Sequence, residues 1–274
     1  MNTSSTGKEI QALQRIRKEC AITMLNLYHR AHAGHIGTSL SCLEIMVDLC
    51  FNRMNQEDYL ILSKGHAAAG LYTVLSKSGR LDEQELQTFY ADGTRLGAHP
   101  PCNGEIPSIP FGTGSLGHGL SLASGMVLSQ RFTNRQFQAY CILSDGDCNE
   151  GSTWEAALFA AHHGLSRLTV VVDANGLQGF GLTKDICDLE PLASKWESFG
   201  FAVASALDGN SFLSLKGAYQ ALEHADCNKP RCIIARTTKG HGVSYMEDRM
   251  EWHYLPMNET QYQQAIRETE GCHA

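Results

Sequence analysis

Four polar residues stand where their types and spacing could do chemistry. Asp145 and Asp147 follow the apolar run 139–143, while Asp173 and Asn175 follow the next such run, 168–172. A carboxylate, a side-chain amide and nearby backbone carbonyls are hard oxygen donors, a set that suits Mg²⁺ when the ion also takes phosphate oxygens and water. Taken singly, an Asp or Asn after a strand is an ordinary turn residue. The spacing favours a site: Asp145 and Asn175 lie thirty positions apart, with a helix-like stretch and a second strand-like run between them.

Those intervening elements must do the positioning. Ala139–Leu143 and Leu168–Val172 read as buried strands. Between them Ser152-Thr153-Trp154-Glu155 has the form of a capping box, Trp154, Ala157, Leu158 and Ala161 share one helical face, and Gly164 is placed to end the helix. This is a βαβ unit whose strands run parallel, and parallel sheets bind ligands beyond the carboxyl ends of their strands. Both polar groups should therefore meet at one edge of the sheet.

The rest of the chain fits the same architecture. Periodicity predicts helices over 10–28 and 39–51, a short strand at 59–62, and a helix over 65–78 closed by Gly79, with another starting at Asp82. Residues 93–119 are rich in glycine and proline and read as a long loop, which inside a compact domain is usually functional. A helix over 120–132, a helix over 213–225 and a strand at 232–235 complete the pattern. No repeat or linker divides the chain. The expected fold is α/β, a parallel sheet flanked by helices in a single domain over 1–274, with 255–274 as a surface tail.

Composition excludes several functions. The 274 residues are 43% hydrophobic and 19% charged, ordinary for a folded globular protein. A net charge of -7 without a basic stripe argues against nucleic acid or an anionic membrane as partner. Any anionic ligand must then be held by local groups or by a metal. The polar opening leads into no apolar signal segment and no eighteen apolar residues run together, so a soluble, cytoplasmic protein is expected. None of the ten cysteines has C-x-x-C spacing, which points to reduced thiols and away from a zinc site or redox dithiol.

Ser144-Asp145-Gly146, followed by Glu150-Gly151 and ending at Asn175, resembles the Gly-Asp-Gly to Asn motif of thiamine diphosphate enzymes, and its surroundings resemble the transketolase family. Five more segments agree in order: Ala33–Gly37, Leu62–His66, Gly97–Pro100, Thr113–Gly117 and Glu251–His253. The similarity covers about residues 10 to 255. It implies that Asp145, Asn175 and the Leu177 carbonyl hold Mg²⁺. The diphosphate would lie among that metal, His66 and the backbone of Ser144–Gly146, within a cofactor site that includes Glu150. Gly114 and Leu116 would meet the aminopyrimidine, and His35, His99 and His253 would face the substrate. Gly112–Gly117 also fits G-x-G-x-x-G, but no clear strand precedes it, and close approach of backbone to a flat ring is the better account.

The resemblance implies thiamine-dependent ketol transfer from a ketose to an aldose, with histidines contacting hydroxyls and moving protons. It also implies a companion subunit carrying the pyrimidine-binding and carboxy-terminal domains, in an α2β2 assembly, because the sequence ends about where the diphosphate-binding domain of a transketolase would. Ser144, His118, His241 and Tyr254 depart from the family pattern and are expected to flank the substrate channel. The rivals are a 1-deoxyxylulose 5-phosphate synthase, the α subunit of a 2-oxo acid dehydrogenase, and a non-catalytic cofactor-binding subunit.

Overall fold

Strands form where β-branched and apolar residues run without interruption, and here they pair in parallel. The computed structural model describes residues 3–102, 104, 106–226 and 228–271. In chain order the first elements are α1 (Thr3–Ala31), α2 (Ile36–Ser41), α3 (Leu43–Asp48), β1 (Tyr59–Leu62), α4 (Ala68–Lys77), α5 (Glu83–Leu86) and α6 (Gly119–Ser129). Next come β2 (Ala139–Ser144), α7 (Gly151–His162), β3 (Leu168–Ala174), β4 (Leu177–Gln178), β5 (Gly181–Leu182), α8 (Thr183–Cys187) and α9 (Leu192–Ser198). The last are β6 (Ala202–Ala206), α10 (Phe212–Ala221), β7 (Arg231–Arg236) and α11 (Glu259–Gly271).

Five strands make one parallel sheet in the order β1-β2-β3-β7-β6, and β4 and β5 form a separate two-stranded hairpin. Alternate residues of each strand enter opposite faces, as the two-residue repeat of a strand requires. Leu60, Leu62, Tyr140, Ile142, Val171 and Ile233 pack under α1, α3, α4 and α10. Ile61, Cys141, Leu143, Val170, Val172, Cys232 and Ile234 pack under α6, α7 and α9. Burial on both faces explains why these strands are continuously apolar.

The register sets the site. Leu62 pairs with Ile142, Ser144 with Asp173, and Asp173 with Ala235. Four parallel strands thus end nearly level, and the loops leaving β1, β2, β3 and β7 emerge side by side.

Several expectations need correction. Asp173 lies inside β3 and is fully buried, not past the strand's end. The capping box does not form: α7 begins at Gly151 with Glu150 in the capping position, and the Ser152 hydroxyl donates to the Gly117 carbonyl (3.0 Å). Nor does Leu158 face the core; it is exposed, and Thr153, Ala156, Ala157 and Ala160 make the buried stripe. Gly164 does close α7 with a positive φ of 55°. The predicted helix over 39–51 is broken at Cys42, which leaves helical geometry at φ -107°, into α2, α3 and a wider turn over Leu49–Arg53. The strand β6 had no β-branched run to announce it, since Ala-Val-Ala-Ser-Ala is a half-buried edge.

Over the stretch expected to be a surface tail, α11 packs along α1, with Met257, Ala265 and Thr269 buried and Tyr262 stacked on His29 (ring centroids 4.1 Å). Residues 272–274 of that stretch lie outside the described part. The eight described cysteines are all unpaired. Among the described residues no helix is long and apolar enough to cross a membrane.

Candidate active site

A cavity of about 270 Å³ opens at the level strand ends. Its walls include His35, His66, His99 and His253, with Gly114, Leu116, Ser144, Gly146, Asn175 and Leu177. Most of the residues expected to act together, though spread over more than two hundred positions, thus share one concavity. The histidine rings form a cluster: His35 lies 5.4 Å from His66, 6.0 Å from His99 and 5.2 Å from His253, and His66 lies 5.0 Å from His253, centroid to centroid.

Each ring is held by its backbone or neighbours. His35 sits at the start of α2 with φ 71°, a left-handed conformation unusual for a residue with a side chain, and its N–H donates to the His253 carbonyl (3.2 Å). His66 Nε2 lies 3.2 Å from the Thr38 hydroxyl. The Tyr72 hydroxyl donates to the His99 carbonyl (2.8 Å). Burial, then His99 and Lys239, lower the His35 pKa to about 4. Burial, then Lys239 and His35, lower that of His253 to about 3. Burial, chiefly, also lowers His66 and His99. The cluster is therefore neutral at physiological pH, able to offer one N–H and one lone pair per ring.

The acidic residues divide sharply. Asp147 is saturated: it accepts from the Ser63 hydroxyl (2.5 Å), the Gly117 N–H (2.8 Å), and the Ser144 N–H and hydroxyl (both 2.8 Å). Asp173 accepts from the Ser41 hydroxyl at both oxygens (2.7 and 2.9 Å), from the Lys64 ammonium and from the Thr237 hydroxyl. Both tie loops together. Asp145 differs. One of its oxygens accepts from the Gly176 N–H (2.7 Å) and the Thr183 hydroxyl (2.8 Å), while the other, Oδ1, is buried without a partner among the described residues.

A buried carboxylate oxygen left bare is costly unless something else coordinates it. Burial raises the Asp145 pKa to about 6, against the opposing Thr183 hydrogen bond. A divalent cation would reverse that cost, so this donor set fits an oxygen-seeking metal. The Asp145–Gly176 bond brings the loops after β2 and β3 into contact. Asn175 Oδ1 accepts from the Leu177 N–H (3.0 Å), leaving a second lone pair, and its amide donates to Ser41 (2.9 Å). Among the described residues no three His, Cys, Asp or Glu side chains converge on a metal position, so an all-charged cage is not the arrangement. Asp145 itself lines a second cavity, with Gly176 and Thr183.

The glycines admit close approach. A Cβ on Gly146 would lie 2.8 Å from Leu116 Cδ1, and one on Gly65 would lie 2.6 Å from the Thr113 carbonyl, so the 113–116 loop can fold against the strand ends.

Besides Asp145, three residues expected at or beside the site do not line this cavity. Glu150 is exposed at the start of α7 and lines no part of the cavity. His118 is exposed at the start of α6. His241 lines a separate cavity beside α1, 3.7 Å from Glu44. Ser144 and Tyr254 do line the main cavity, and the Tyr254 hydroxyl donates to the Gly179 carbonyl (2.9 Å), tying the β4–β5 hairpin to the His253 segment.

Two buried lysines were not anticipated. Burial is the largest single influence and would lower the Lys64 pKa, but Asp173, Cys42 and Asp145 together outweigh it and raise the group. Lys239, 1% exposed, has no carboxylate at ion-pair distance among the described residues, and burial followed by Lys64 lowers it to about 8. Its only sequence signal was its place after a strand end, since lysine is normally a surface residue.

Comparison with known proteins identifies the family. Residues 13–273 match the family model described as transketolase, thiamine diphosphate binding domain. The chain is 38% identical over 242 residues to one subunit of the apulose-4-phosphate transketolase of Actinobacillus succinogenes, covering 85% of this chain and 86% of that one. It is 35% identical over 246 residues to a 6-deoxy-6-sulfo-D-fructose transketolase subunit of a Clostridium species, covering 86% and 88%. Among solved structures it superposes on transketolase from Campylobacter jejuni with a TM-score of 0.83 and 26% identity, covering 95% of this chain and 43% of that one.

Proposed function

Since the chain belongs to the transketolase family through its thiamine diphosphate-binding domain, we propose that it is the amino-terminal subunit of a split transketolase. It transfers a two-carbon ketol unit from a ketose, phosphorylated or otherwise anionic, to an aldose. The observation that carries this reading is the cavity at the strand ends that Asn175, Leu177 and four histidines line, together with a buried Asp145 oxygen in the neighbouring loop that no described protein group satisfies. Thiamine diphosphate, when bound, supplies the carbanion chemistry, and Mg²⁺ neutralises its diphosphate.

This chain's own residues then have distinct tasks. Asp145, Asn175 and the Leu177 carbonyl would hold the metal. His66, Ser144 and Gly146 would receive the diphosphate, and Gly114 and Leu116 would lie against the aminopyrimidine. His35, His99 and His253, neutral and clustered, would hold substrate hydroxyls and pass protons at their ring nitrogens. Glu150, exposed, is better placed to meet a partner than to touch the coenzyme.

A companion polypeptide with pyrimidine-binding and carboxy-terminal domains would complete the site, in a cytoplasmic α2β2 assembly. Relatives named as single subunits of transketolases support a companion, and the eight unpaired cysteines among the described residues suit a reducing compartment. The relatives' names and the histidine cluster weigh against a 2-oxo acid dehydrogenase, a 1-deoxyxylulose 5-phosphate synthase and a non-catalytic role. The test is to assay the chain alone and with the product of the neighbouring reading frame on phosphorylated and sulfonated ketoses. Ketol transfer should require both chains, thiamine diphosphate and Mg²⁺. Full transfer by this chain alone, or pyruvate decarboxylation by the pair, would contradict the proposal.

A further inference from the structure

Among the residues lining the main cavity, Phe180 and Tyr254 are 87% and 52% exposed, while His35, His66 and His253 are half-buried. The cavity therefore opens past these two aromatic rings. Tyr254 bridges that opening: it belongs to the segment around His253, and its hydroxyl donates to the Gly179 carbonyl (2.9 Å) in the turn of the β4–β5 hairpin. Both sides are shaped to admit it. A Cβ on Gly179 would lie 2.5 Å from the Tyr254 hydroxyl and 3.3 Å from Nε2 of His253, and one on Gly34 would collide with the Tyr254 carbonyl. Two glycines are thus required for one tyrosine to sit where it does. The Tyr254 N–H donates to the Glu251 carbonyl (3.0 Å), and the His35 N–H holds the adjoining His253 carbonyl (3.2 Å). With backbone and hydroxyl both tied, the ring cannot swing outward without breaking the strap, and it stands edge to face with His253, 4.8 Å between centroids.

We propose that Tyr254 is a specificity-determining residue: strapped to Gly179, it forms a fixed side of the entrance that admits short acceptor aldoses to His253 and holds back longer ones. An aldose of three carbons can lie within the histidine cluster, whereas one of five must extend past a ring that stands next to His253. Selection of this kind works by a clash built against the wrong partner. It acts through size, because the lining's one lysine or carboxylate, Lys239, is buried and the exposed rim is aromatic.

The inference rests on the ketol-transfer reading for its substrates, but its geometry is tested first without them. The full-length chain alone is treated with diethyl pyrocarbonate, and modification of His253 is followed by mass spectrometry. His253 should react several-fold faster in Tyr254→Gly than in wild type, with Tyr254→Phe, which keeps the ring and loses the strap, in between. Equal rates in the three proteins overturn the proposal. If Tyr254→Gly does not fold, Tyr254→Phe decides, by a rate above that of wild type. The second readout uses the reconstituted pair with one ketose donor and compares kcat/KM for glyceraldehyde 3-phosphate and ribose 5-phosphate as acceptors. Wild type should favour the shorter aldose, and Tyr254→Gly should reduce that preference about 10-fold or more. A wild-type preference for the longer aldose, or an equal loss toward both in Tyr254→Gly, would overturn the specificity role, since merely structural damage does not distinguish acceptors. Absence of any ketol transfer by the wild-type pair would sink the functional proposal and the choice of aldose with it, while the shielding of His253 by Tyr254 would still stand or fall on the modification rates.

Discussion

Asp145 and Asp147 stand two positions apart in one loop and are both buried, yet one is bonded on every side and the other has an oxygen without a described partner. The strand end opposite repeats the division. Asp173 is enclosed by Ser41, Lys64 and Thr237, while Asn175, nearer the cavity, keeps spare capacity. The inner pair holds the loops in place and the outer pair is left able to bind. Burial by itself therefore does not mark a ligand-binding carboxylate; incomplete satisfaction of a buried one does.

The contrast predicts unequal effects. Lys64→Met should do the most damage, leaving Asp173 charged and unmatched, and should lower stability by about 3–5 kcal/mol. Urea unfolding with an unchanged slope would register it. Asp147→Ala should cost about 2–4 kcal/mol because the donors of Ser63, Gly117 and Ser144 lose a common acceptor. Asp145→Asn should instead leave stability within about 1 kcal/mol while weakening Mg²⁺-dependent thiamine diphosphate binding by the pair about a hundredfold or more, read by calorimetry. Equal destabilisation by the two aspartate variants would erase the distinction between clamp and ligand.

The histidines sharpen the comparison through pH. His35 and His253 are held neutral, with pKa values lowered to about 4 and about 3, while in the unfolded chain they titrate near 6.5. Between those values the unfolded state binds more protons, so their contribution is complete above about pH 6.5 and is lost as pH falls towards 4 and then 3. A His35→Gln, His253→Gln double variant should flatten that decline in urea midpoints, and an unaltered slope would place the titration elsewhere. The smallest effect is expected from Tyr254→Phe, which removes one partly exposed hydrogen bond to Gly179 and should cost under about 1 kcal/mol. Hydrogen exchange at the β4–β5 hairpin should quicken while the five-stranded sheet is unaffected.

Much of the fold was legible because its main strands are buried on both faces and hence read as unbroken apolar runs. What could not be read was weakly coded: β6 is an alanine- and serine-rich edge, and α11 buries only Met257, Ala265 and Thr269 near or within it. The histidines that line the cavity all stand in segments picked out from the sequence. That Glu150, His118 and His241 do not line it was not legible, since adjacency in a motif does not say which way a side chain turns. Lys64 lay inside a recognised segment without revealing that it was buried.

By itself, the order of residues determined that parallel strands would end in oxygen donors and that one strand–helix–strand unit would carry Asp145 and Asn175 to the same edge, because chain direction and a two-residue repeat are local properties. Only the tertiary structure decided which carboxylate is saturated, that four histidines separated by long stretches face one another, and that Tyr254 is tied across to Gly179. Those outcomes depend on hydrogen-bond partners contributed by other strands and loops, which no local pattern contains.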